Sequence, residues 1–348
     1  MPHVMTPLGS ASHMIISNSI LTEGLTYPLY LLFSVELLKG LLHTKKKQKV
    51  AAFIRALCYS FLLSMLRNQM LTTIIIWAIV AAYAAWKQNE TGMRKLIAFV
   101  GMIVAVILVF LLKSGCYRAY YDYYCDGYSG EKLGNVGFLA NALYLVDEEK
   151  EIVLDDAGLQ NAYQQMLQLR DEKYLYKEQL AGALEQALQY EDCYDPLKYE
   201  VIEPILEEKL YEAGVTGHEV NEQLYRECGI LFQEILPVVW IDYIRLFFDN
   251  LCLGLIRSVS LPRGIFIVYG TLVYVALIGL FIWKQMRKRS LAVRLLLALS
   301  LGMTLLHVAA TSAVIMCLSR YVIYNTTLLY SAGFLALMEE LYMRNRRG

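Results

Sequence analysis

The stretch SGCYRAYYDYYCDGY, Ser114–Tyr128, marks the point where the chain stops reading as membrane. It opens a polar block that runs to about Ser260. Tyr117, Tyr120, Tyr121, Tyr123, Tyr124 and Tyr128 crowd its start, and an amphipathic run, Phe232–Leu255, closes it. The block holds 27 of the 32 Asp and Glu residues and only 11 of the 32 Lys and Arg, a net charge of −16. The remainder, with 21 basic and five acidic residues, carries +16, so the neutrality of the whole is a cancellation between two compartments. Lys and Arg concentrate in the cytoplasmic loops of membrane proteins. An acidic block between apolar spans with basic ends therefore predicts a domain outside the cytoplasm.

Working outward, 57% of the residues are hydrophobic, above the roughly one half of ordinary soluble domains. Seven apolar runs have the length a bilayer asks of a helix. They are Leu25–Leu42, Val50–Leu66, Met70–Trp86 and Leu96–Leu112 before the block, then Gly264–Trp283, a run from Leu295 toward Cys317, and Val322–Leu341. Lys45–Lys49, Lys87 with Arg94 and Lys95, Lys284–Arg294 and Arg344–Arg347 all fall on one side of that zigzag. The expected fold is an all-α polytopic membrane protein of about seven transmembrane helices, placed in the cell membrane. A helical extracytoplasmic domain is inserted between spans four and five. Residues 1–113 hold four spans, 114–260 the outer domain, and 261–348 three spans. This topology starts outside, yet Met1–His13 has neither the charged start nor the apolar core of a secretory signal. The chain therefore reads as the downstream part of a longer one.

Inside the block, Asp155–Tyr190, Tyr199–Tyr211 and Val220–Leu236 have helical spacing. From Pro237 on, Asp242, Arg245 and Asp249 share one narrow face, with Val239, Trp240, Ile244, Phe247, Phe248 and Leu251 around the rest. That pattern describes a helix lying in the membrane interface, or one that covers the domain's own core; periodicity does not name the partner. Cys116, Cys125, Cys193 and Cys228 form either two disulfides or ordinary core thiols.

No Gly-rich phosphate loop, metal-type Cys/His spacing or Ser/His/Asp arrangement is present. The sequence thus calls for no metal and no cofactor, and no basic-aromatic patch points to nucleic acid. Candidate site residues lie at the outer ends of the spans: Glu23 in SNSILTEGLTYPLYLL, Arg67 in MLRNQM, and Arg320 with Tyr321 in SRYVIYNTTLLY. Arg67, Arg320 and Tyr321 suit a lipid phosphate, because a guanidinium holds two phosphate oxygens at once; interfacial arginines also serve simply as anchors. Glu23 suits a sugar or acceptor hydroxyl. Asp122 and Asp126, set among the tyrosines, read as a sugar-binding platform or as solvated acids beside an aromatic belt.

The ILTEGL segment, the Arg67–Asn68–Gln69 turn and SRYVIYNTTLLY are similar to segments of the multi-span GT-C glycosyltransferases of bacteria. The resemblance implies transfer of a sugar from a polyprenyl-phosphate carrier, the donor substrate, to a glycan or protein acceptor outside the cytoplasm. It also implies a catalytic acid in the first outer loop, and no residue here matches that position, so the catalytic residue is unassigned. The chain would correspond to the C-terminal part of such an enzyme. The rival expectation is a non-enzymatic integral membrane protein of envelope assembly or transport, whose acidic domain docks a partner.

Overall fold

The computed structural model describes residues 22–88, 92–124, 134–147, 152–178, 183–288 and 290–345. They are almost wholly helical, with no strand among the described residues. The first helices are α1 (Thr22–Leu42), α2 (Lys46–Leu66), α3 (Thr72–Gln88) and α4 (Gly92–Tyr124). The polar block supplies α5 (Gly134–Leu145), α6 (Ala157–Glu172), α7 (Ala183–Pro196), α8 (Glu203–Glu212) and α9 (His218–Arg257). The chain ends with α10 (Ile265–Met286), α11 (Leu291–Val314), the single turn α12 (Ser319–Val322) and α13 (Tyr324–Asn345).

Among the described residues six helical segments are long and apolar enough to cross a membrane: Gly24–Leu42, Lys46–Leu66, Asn68–Lys87, Lys95–Tyr120, Ile265–Met286 and Leu291–Val314. The protein is thus all-helical and of multi-pass membrane type. The expected seventh span, Val322–Leu341, falls on α13, which carries Glu339 and Glu340 and is not one of the six. Where a turn was expected over Arg320–Asn325, the chain is helical on both sides of Ile323.

The chain divides into two compact units, the first made of Met1–Tyr117, Gly254–Ala310 and Leu318–Gly348, the second of Arg118–Leu253 and Thr311–Cys317. In the first unit α1 is central. Its Tyr30, Phe33 and Leu37, spaced along one face, pack with Ala56 and Leu63 of α2, Trp77 of α3, Met303 of α11 and Tyr324 of α13. Lipid is as apolar as these side chains, so burial alone does not drive the packing; close approach and hydrogen bonds between helices do. Ser60 and Thr73 hydroxyls meet at 2.7 Å, and the Trp77 indole donates to the Phe53 carbonyl at 2.8 Å. Gly333 lets α13 lie tight against α10, because a Cβ there would stand 2.9 Å from Leu277.

The second unit is organised on α5, a helix absent from the sequence expectations. Leu139, Ala140, Ala142, Leu143, Tyr144 and Leu145 are all buried, as expected of a helix apolar all round. α7 and the helical turn Leu197–Ile202 pack on it, Arg170 of α6 bonds its last carbonyls, and α9 meets it through Asn135, Phe138 and Asn141. Two expected helices differ. Asp155–Tyr190 is broken after α6, where Tyr174 takes a positive φ of 56° and the chain turns. Val220–Leu236 and the segment after Pro237 are one helix, α9, which runs on through Pro237. The cysteines expected either to pair or to stay free are free at Cys116, Cys193 and Cys228; Cys125 lies outside the described residues.

Candidate anion-binding site

Between α2 and α3 the chain reverses within a few residues. Arg67 leaves the helix in an extended conformation, φ −149° and ψ 130°, and Asn68–Leu71 turns once as a 3-10 helix before α3 begins. The Gln69 side-chain amide donates to the Tyr321 carbonyl at 3.3 Å, which ties this reversal to the turn α12. Two segments some 250 residues apart in sequence thereby share one end of the first unit.

That stitch brings three expected site residues together. The Arg67 guanidinium lies 5.4 Å from the Tyr321 ring centroid, and the Arg320 guanidinium lies 4.9 Å from the same centroid. Arg320 Nη2 also donates to the Tyr321 hydroxyl at 2.8 Å. Cations over an aromatic face are held by the ring's quadrupole, so Tyr321 keeps two like charges close despite their repulsion. A third cation stands beside them: Lys113 of α4 donates to Asn68 Oδ1 at 3.0 Å, and Tyr117 donates to the Met65 carbonyl at 3.2 Å.

A buried layer fixes Arg67 from behind. Its Nη1 donates to the Tyr324 hydroxyl at 2.7 Å. The Tyr324 ring stacks on His307 at 6.2 Å and 22°, and both lie about Tyr30 of α1. Tyr30 donates to Asn325 Oδ1 at 2.7 Å, leaving Asn325 Nδ2 to face His307 Nδ1 at 3.2 Å. An amide nitrogen only donates, so His307 accepts through Nδ1 and carries its proton on Nε2. The sequence had pointed to none of Lys113, Tyr324 and Tyr30. The signals that could have found them are modest: a lysine closing an apolar run, and a second tyrosine one turn beyond Tyr321.

An apolar groove of about 380 Å³ lies among α1, α3, α10 and α11 and reaches Leu41 and Tyr83, toward the ends of α1 and α3 away from Arg67. Ile76, Ile79 and Tyr83 form one wall and Ala298, Gly302 and Leu306 another. At Gly302 an added Cβ would meet nothing within 4 Å. Chemically the site is a pair of planar, forked donors about one aromatic ring, an arrangement suited to an anion.

The remaining expected residues are not gathered there. Glu23 sits in the first turn of α1, but its side chain lies outside the described residues. Asp126 lies outside them altogether, and Asp122 is an exposed residue of the last turn of α4, in the second unit. Elsewhere in the second unit, Lys177 pairs with Asp242 at 3.0 Å beside Asp249, whose carboxyl is pushed above its usual range by burial. The cleft they line measures only about 20 Å³, room for a single water rather than a substrate. Among the described residues no cluster of His, Cys, Asp or Glu has the make-up of a metal site. Comparison with protein families, with characterised proteins and with solved structures finds no match.

Proposed function

We propose that the chain is a membrane glycosyltransferase, or the C-terminal part of one, that holds the phosphate of a polyprenyl-linked sugar on Arg67 and Arg320. The observation that carries this reading is the pair of guanidinium groups stacked over the single ring of Tyr321, with Lys113 beside them. Phosphate offers several oxygens in a geometry that two forks match bidentately. The groove along α3 and α11 gives a hydrocarbon chain a place to lie. Glu23 is assigned to the sugar or the acceptor, a glycan or protein outside the cytoplasm.

On this reading α13 is a seventh span. Its two acids share one cation at the end of the helix, the fully buried Lys284, which pairs with Glu339 at 2.6 Å and Glu340 at 2.8 Å. Its Leu329, Ala332 and Ala336 are buried with Leu277 and Leu297 of the neighbouring spans. Glu36 is likewise paired with Lys39 at 2.7 Å and Arg55 at 2.8 Å. Glu36, Lys39 and Arg55 lie near one edge of the spans rather than along a path through them, which weighs against the transport alternative.

The test is binding of a labelled polyprenyl phosphate to the purified full chain and to Arg320→Lys, matched for thermal stability. Lysine keeps the charge and the interfacial anchoring but loses the fork. One charge-assisted hydrogen bond is worth about 1.5–3 kcal/mol, so affinity falls roughly tenfold or more. Equal affinity of the two proteins makes Arg320 an anchor and removes the support for this function.

A further inference from the structure

Helix α9 carries two apolar faces. Leu231, Ile235, Val239, Leu246 and Leu253 are buried in the second unit. On the far side Trp240, Ile241, Ile244 and Phe248 are exposed by 47–55%, and Val238 by 36%. Steps of three and four residues line up positions 241, 244 and 248, so these side chains make one stripe. From Val238 to Phe248 it is about 15 Å long at 1.5 Å per residue. The charged residues lie along its margin. Lys177 and Arg245 both donate to Asp242, at 3.0 and 3.4 Å, and Asp249 follows two turns later. The sequence had set the charges on one face against a single apolar remainder; the fold splits that remainder into an inner and an outer face.

A contiguous stripe of tryptophan, isoleucine and phenylalanine is not left in water by ordinary soluble domains. What covers it is indicated by the helix itself. α9 continues unbroken to Arg257, and Ile256 in its last turn packs on Gly270 of α10, where a Cβ would stand 3.3 Å away. α10 is a membrane span that presents Val268, Leu272 and Val275 outward. The stripe thus lies on the helix that leads, within about ten residues of its end, into a membrane span. Tryptophan is also the side chain most at home between headgroups and acyl chains.

We propose that the Val238–Phe248 face of α9 is a lipid-binding surface, sunk into the boundary between headgroups and acyl chains. The partner is the bilayer itself, and the charged margin of Lys177, Asp242, Arg245 and Asp249 stays in water. This inference is independent of the phosphate site.

The experiment uses the full chain in phosphatidylcholine–phosphatidylglycerol nanodiscs. Cys58, Cys116, Cys125 and Cys252 are replaced by serine, and single cysteines at Ile241→Cys, Ile244→Cys and Phe248→Cys receive a nitroxide label. Glu208→Cys, exposed on α8, is the water-facing reference. Expected is readier collision with dissolved oxygen than with a water-soluble nickel chelate at the three stripe positions, and the reverse at Glu208→Cys. Nickel collision at the stripe equal to that of the reference overturns the proposal. So does protection from both reagents, which means that protein, either a partner or a second copy, covers the face. Three positions in one register guard against a single variant that misfolds.

Discussion

Cys193 shows how a residue without any motif acquires a physical role from its surroundings. It is buried beside Tyr190 and Tyr194, and burial, reinforced by Asp192 and Glu178, pushes its thiol from 9.0 up to about 11. Cys228 is shifted in the same direction, also by burial. The folded protein therefore keeps protons that the unfolded chain has released. Stability from this source is complete below about pH 9 and is lost as the pH rises toward the folded value. The midpoint of thermal unfolding, followed by circular dichroism, is expected to fall between about pH 8 and pH 10.5, with a shallower fall in Cys193→Ala. Parallel pH profiles for the two proteins defeat this account. The thiols were visible in the sequence, but whether they paired depended on which helices meet, and no spacing rule gives that.

At the scale of elements, α5 depends on one arginine. A helix end leaves carbonyls without partners, and α5 ends inside the core. Arg170, 1% exposed, donates through Nη1 to the carbonyls of Leu143 at 2.9 Å and Val146 at 2.7 Å. Its charge is balanced by Asp171 at 2.6 Å. Each buried carbonyl left without a donor costs about 1–3 kcal/mol. Arg170→Met is therefore expected to destabilise the second unit by about 2 kcal/mol or more, read as roughly thirtyfold faster amide exchange across Gly134–Leu145. Unchanged exchange there would falsify the capping role. In the sequence Arg170 looks like an ordinary cation on an amphipathic helix. The apolar run from Val136 to Val146 is shorter than a span, and its position at the centre of the domain emerges only from the packing around it.

For the whole molecule, the partition of charge predicts an orientation. The acidic block should face outward and Lys45–Lys49 inward, because basic loops are retained in the cytoplasm. Gln48→Cys and Glu208→Cys are both at exposed positions. In intact cells an impermeant thiol reagent is expected to modify the cysteine at 208 and to reach the one at 48 only after the membrane is opened. The opposite pattern reverses the topology and moves Arg67 and Arg320 to the wrong side for a translocated lipid-linked sugar.

By itself the sequence determined the all-helical membrane class and, of seven expected spans, the approximate position of the six helices that are long and apolar enough to cross a membrane. It also flagged Arg67, Arg320 and Tyr321. These follow from local composition and from the cost of placing polar backbone or charge in hydrocarbon, which any window of about twenty residues reports. Tertiary structure alone decided that Arg67 and Arg320 share the ring of Tyr321, that Tyr324 backs Arg67, and that Lys284 pairs with the acids of α13. It likewise decided that Val239 faces a core while Ile241 and Phe248 do not. Such outcomes depend on contacts between segments far apart in the chain. A pattern of periodicity fixes which face of a helix is apolar, while the element packed against that face is fixed only when the whole chain has closed around it.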